Sequence, residues 1–240
     1  MKKISSSNFI FIIFLIIMAY NAFENRGNVS VKEWLISTLL ILPGIVIGIT
    51  IHEFAHAFSA YKLGDMTPKL QGRVTLNPLA HIDPVGIIAL IFVHFGWGKP
   101  VQVNPYAFKT NRRLCNLIVD VAGVVTNFVF AFILTGIFMA LLVSGTVVYG
   151  SVAYLILNNI ILFQIVLMIF NLLPIPPLDG FGIITEIFDL RRFKWYQPFY
   201  QNGSLILLIL IIFNIIRGLL TPALTAIMTF ITDFWSAILL

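Results

Sequence analysis

Residues 34–61 read WLISTLLILPGIVIGITIHEFAHAFSAY. An apolar run of this length exceeds the roughly 20 residues that a helix needs to cross a bilayer, so a transmembrane helix is predicted here. Three polar groups, His52, Glu53 and His56, sit in its second half. Such groups are costly in hydrocarbon and normally mark a metal, a proton path or a substrate route.

Outward from this segment, further apolar stretches run over residues 8–23, 114–143, 152–173, 204–216 and 219–240, giving about six transmembrane helices. Composition agrees: of 240 residues 59% are apolar and 10% charged, with a mean hydropathy of +0.98. A soluble globular domain is excluded. So little charge can neither solvate a disordered coil nor coat a phosphate backbone, which removes nucleic acid as a partner. The lone Cys115 removes a disulfide scaffold. The expectation is an all-α polytopic membrane protein, a single domain over residues 1–240 embedded in the lipid bilayer.

Three features refine that expectation. Lys2 and Lys3 precede the first apolar stretch, but residues 19–22 make a poor cleavage site, so it is read as an uncleaved anchor. Between the second and third stretches, residues 62–113 are neither domain nor simple loop. Residues 69–77 (KLQGRVTLN) show partial alternation of β-branched side chains and predict a small membrane-associated β-hairpin. Residues 86–95 (GIIALIFVHF) are apolar but too short to cross, and predict a re-entrant or interfacial segment. With six spans, twelve Lys and Arg fall on one side and three on the other. That bias predicts both termini in the cytoplasm of a plasma (inner) membrane protein, which puts His52, Glu53 and His56, close to the inner end of their span, near the cytoplasmic side.

The residues 52–56, HEFAH, form an HExxH motif. Four residues apart on a helix, His52 and His56 share a face and can grip one metal ion, with Glu53 beside it as general base. Zinc bound there lowers the pKa of a bound water and polarises a carbonyl. A catalytic zinc takes a third protein ligand. Among Asp83, Asp120, Asp179 and Asp233, the third is favoured: Asp179 lies in residues 171–180, NLLPIPPLDG, where three prolines force non-helical backbone and Gly180 permits close approach. Asp120 and Asp233 are read as interhelical or interfacial groups.

These two motifs resemble those of the site-2 protease family of intramembrane zinc metalloproteases. HEFAH matches the family's zinc motif and NLLPIPPLDG its second motif, NxxPxxxLDG, while GRVTLNPLAHIDPVG and WGKPVQVNP look like the short form without an accessory domain. The resemblance implies one Zn2+ per chain held by His52, His56 and Asp179, Glu53 as catalytic base, and hydrolysis of peptide bonds within or beside the spans of transmembrane protein substrates. The family often carries Gly-Pro-x-x-Asn after the hairpin; here residues 123–127 are GVVTN, with Val124 at the proline position. Asn127 remains, with substrate positioning or an interhelical amide bond as its two readings.

Further candidates for substrate positioning are His81, between two prolines, and Val74 and Thr75 in the expected hairpin, whose strand edge would hold an unwound substrate by β-augmentation. His94, beside aromatic residues, is read as an interface anchor. Two competing functions are an intramembrane metal-ion transporter and a catalytically inactive membrane chaperone. A transporter would often show a second broken segment in a repeated half, and a dead homologue need not keep Glu53, which is no ligand.

Overall fold

A computed structural model describes residues 30–93 and 96–240. Helix α1, Val31–Lys62, is capped at Ser30, whose Oγ accepts from the Glu33 amide while Glu33 Oε2 accepts from the Ser30 amide. It is followed by the single turn α2, Thr67–Leu70, a 3-10 turn at Pro78–Ala80, and α3, Pro84–Val93. Helix α4, Arg112–Val143, starts on the Asn111 cap and α5, Val152–Asn171, on the Ser151 cap. The chain ends with α6, Asp179–Phe188, α7, Tyr196–Ile212, and α8, Ile215–Leu239.

Helices α1, α4 and α5 pack on one another and form the centre of the molecule. Glycine sets their spacing. A Cβ on Gly44 of α1 would stand 2.8 Å from the Asn159 carbonyl oxygen of α5, so the two backbones touch where neither side chain intervenes. On the other face, Val124, Ala131 and Phe138 of α4 pack with Ile161, Ile165 and Met168 of α5 and Ile231 of α8.

The described residues contain four helices long and apolar enough to cross a membrane, α1, α4, α5 and α8, which corrects the expectation of about six. The stretch 8–23 lies outside the described residues. The stretch 204–216 is no span of its own: α7 begins at Tyr196, ends at Ile212, and turns into α8 through Asn214 in the left-handed region at φ 56°. The first turns of α8 pack beside Leu178 and Leu207, whereas Trp235 near its far end donates to the Phe132 carbonyl of α4 at 2.8 Å. Helix α8 therefore runs in the same direction as α4.

No strand occurs among the described residues, which overturns the predicted β-hairpin. Residues 69–77 spend their backbone donors locally: Arg73 N–H bonds to the Pro68 carbonyl at 2.8 Å and Thr75 N–H to the Arg73 carbonyl at 2.9 Å. Gly72 takes φ 69°, Pro78 has no N–H, and Asn77 caps the 3-10 turn, so Val74 and Thr75 lie in turns. Only an isolated bridge pairs Ile82 with Gly98. The apolar residues after Pro84 form the ten-residue helix α3, about 15 Å long and too short to cross.

Candidate metal centre

His52 and His56 project from the last third of α1, and Asp179 opens the first turn of α6, delivered there by the turns of residues 172–178. His52 Nε2 and His56 Nε2 each lie 3.2 Å from Asp179 Oδ2 and 3.1 Å from one another. A tetrahedral ion with ligand bonds of about 2.0–2.1 Å has ligand-to-ligand edges of roughly 3.3–3.4 Å, so this triangle is close to the size zinc requires. Asp179 Oδ2 and His52 Nδ1 are buried and make no hydrogen bond. Two imidazoles and a carboxylate directed at one point, with no proton arrangement that pairs them all, form a donor set suited to a cation. They are also the one such group among the described residues.

The surroundings fix the ligand orientation. His56 Nδ1 donates to the Val119 carbonyl of α4 at 2.7 Å, which leaves Nε2 unprotonated for a metal. Helix α4 comes this close because of Gly123: a Cβ there would stand 2.5 Å from His56 Nε2 and 2.7 Å from His52 Cε1. Glu53 sits on the neighbouring face. Its Oε2 accepts the Val101 N–H at 3.0 Å and lies 3.8 Å from the Arg73 guanidinium. Arg73 is almost wholly buried and also donates to the Ala80 and Lys99 carbonyls, so one side chain ties three loop segments to Glu53.

The other anticipated residues fall in different places. His81 is fully buried, but its Nε2 donates to the Thr75 carbonyl at 2.7 Å, making it a brace of the loop. Burial pushes its imidazole pKa below the ordinary histidine value. Asn127 lies one helical turn beyond Gly123, fully buried, and neither of its amide atoms has a partner among the described residues. Asp120 lies against Gly182 of α6, and Asp233 is exposed on α8; neither joins the metal group. His94 lies outside the described residues. Beside Asp179 opens a cavity of about 360 Å³ lined by Asn116, Asp120, Glu186, Arg191 and Tyr196, which gives access from the α6 and α7 side.

Two residues carried no function in the sequence reading. In the sequence Arg73 is one of the twelve charges on the cytoplasmic side, and nothing local in GRVTLN signals its reach to Glu53. Gln164 of α5 is one of four amides in that helix, with Asn158, Asn159 and Asn171, and nothing in the sequence sets it apart from them.

The chain is 37% identical over 218 residues to "Putative zinc metalloprotease YwhC" of Bacillus subtilis, covering 87% of this chain and 94% of that protein. Proteins named in the same terms, Rip2 of Mycolicibacterium smegmatis and Rip2 of Mycobacterium tuberculosis, are 32% identical over 181 residues and 27% identical over 187 residues. These matches cover 72% and 75% of this chain and 67% and 69% of those proteins. No family model and no solved structure matches the chain.

Proposed function

The chain belongs to the site-2 protease family of intramembrane zinc metalloproteases, and on that premise we propose that it hydrolyses peptide bonds within or next to the spans of transmembrane protein substrates. The observation that carries this reading is the meeting of Asp179 with His52 and His56 at 3.1–3.2 Å, with Glu53 alongside, the two histidines and the glutamate being borne on a helix long enough to span the bilayer.

Zinc held by these three side chains supplies a Lewis acid and an acidified water. Everything else falls to the chain itself. Val101 N–H and Arg73 occupy one oxygen of Glu53, Oε2, and fix the carboxylate plane. Oε1 is left to take a proton from the attacking water and pass it to the leaving amine nitrogen, as general base and then general acid. Val119, through its carbonyl, keeps the His56 tautomer constant through the cycle. An ion transporter would have no use for Glu53 held in this way beside the ligands.

The membrane is the plasma membrane in this reading, and the ends of α1 and α5 that carry the site face the cytoplasm. With α8 running the same way as α4, eleven of the twelve Lys and Arg among residues 30–240 lie at that side, Arg217 included, and Lys32 alone lies at the other. In this reading the carboxyl end of α8 faces away from the cytoplasm, whereas the sequence alone predicts both termini inside.

The test is Glu53→Gln. It should keep about one zinc per chain and lose cleavage of a membrane-inserted substrate, because Glu53 is not a ligand. Loss of zinc together with activity, or retention of both, would discard the assignment.

A further inference from the structure

Just beyond the metal ligands, away from the cytoplasmic end of the site, α1, α4 and α5 enclose two amides that nothing satisfies. Gln164 of α5 and Asn127 of α4 are both fully buried, and all four of their side-chain N and O atoms lack a hydrogen-bond partner among the described residues. Both sit at one level. A Cβ on Gly48 would stand 3.3 Å from Gln164 Nε2, and Gly48 precedes His52 by one helical turn. Asn127 follows Gly123 by one turn, and Gly123 faces both imidazoles.

Unpaired amides in a bilayer interior are costly, and two at the same depth require an account. They are not the glue of the bundle. No bond joins them to each other, and the apolar packing of Val124 with Ile161, Ile165 and Met168 already holds α4 to α5. Gly48 matters too, because any larger residue there would crowd Gln164.

Building on the protease reading, we propose that Gln164, together with Asn127, is a substrate-positioning site that hydrogen-bonds a peptide group of the unwound substrate one turn from the metal, on the side of the scissile bond that lies deeper in the membrane. A primary amide offers both donors and an acceptor, which matches the N–H and C=O of one peptide group. A substrate helix opened for hydrolysis loses its internal bonds in a medium without water, and a paired amide site replaces them. Backbone recognition is indifferent to side-chain identity, which suits a protease acting on apolar spans.

The test compares Gln164→Met, close in volume and without an amide, on two substrates: an intact transmembrane segment in micelles and a short soluble peptide truncated on the membrane-deep side of the scissile bond. The ratio of kcat/KM for the spanning substrate to that for the short peptide should fall about five- to tenfold, the range of one lost hydrogen bond. Thermal stability should rise, because a buried unpaired amide has gone. An unchanged ratio overturns the proposal, as does loss of zinc, which would make Gln164 a support of the metal ligands. Should the parent protein cleave neither substrate, the protease reading fails instead. Capture of the spanning substrate by Glu53→Gln protein with and without Gln164→Met then still decides the site, and equal capture overturns it.

Discussion

Gly123→Ala adds one methyl group at the point where α4 meets the metal ligands. That carbon would stand 2.5 Å from His56 Nε2, 2.7 Å from His52 Cε1 and 2.8 Å from His52 Nδ1. Contacts between heavy atoms settle at about 3.5–4.0 Å, so α4 must retreat by about 1 Å or the imidazoles must turn. Neither movement is free. Retreat stretches the 2.7 Å bond from His56 Nδ1 to the Val119 carbonyl on the same helix, and rotation breaks the 3.1–3.2 Å triangle with Asp179. Overpacking of this kind costs about 1–3 kcal/mol of stability, and loss of a ligand's orienting bond typically weakens metal binding about 10- to 100-fold. Zinc affinity measured by chelator competition should fall by that factor, and cleavage should fall with it at limiting zinc. Gly218→Ala is the control, since nothing lies within 4 Å of a Cβ there. A Gly123→Ala protein with zinc affinity within about twofold of the parent would refute the claim that glycine sets the geometry of the site.

Two further expectations follow from the fold. Cysteines introduced at Lys194 and at Leu240, in protein whose buried Cys115 is replaced by serine, should react with impermeant reagents from opposite faces of the membrane; labelling of both from one face would reverse the assigned direction of α8. Because burial depresses the His81 imidazole, the folded loop resists a proton that the unfolded chain accepts. Its stability should therefore be complete above about pH 6.5 and be lost as pH falls through that value towards the lower folded one. Amide protection factors of residues 71–93 and 96–104, corrected for the intrinsic exchange rate at each pH, should fall in acid and lose this pH dependence in His81→Gln; protection that stays constant with pH in the parent would remove His81 as the brace.

The parts of the molecule legible in sequence are those encoded by close spacing. HEFAH needs only the periodicity of one helix to bring two imidazoles together, and the prolines before Asp179 announce irregular backbone where a ligand must leave a span. The expected hairpin failed because alternation over residues 69–77 describes side chains, whereas strands need backbone partners. Here Pro68, Gly72 and Pro78 turn the chain every few residues, and Arg73 is drawn inward by carbonyls 7 and 26 residues away. The extra span failed for a related reason. Hydropathy reports that residues 204–216 are apolar but not which way α7 lies, and the left-handed Asn214 that reverses the chain has no distinctive neighbour. Gln164 gains its meaning only from Gly48 and Asn127, two residues on other helices.

The bond between Val101 N–H and Glu53 Oε2 places the acting carboxylate and the covering loop in a single mechanical linkage. Arg73 stiffens that linkage by gripping Ala80, Lys99 and Glu53 at once. The loop cannot swing far from α1 without unseating the base, and the base cannot change its aim without pulling on the loop. A displacement of the loop is thereby carried to the carboxylate beside the metal ligands, and a displacement of that carboxylate is carried to the loop.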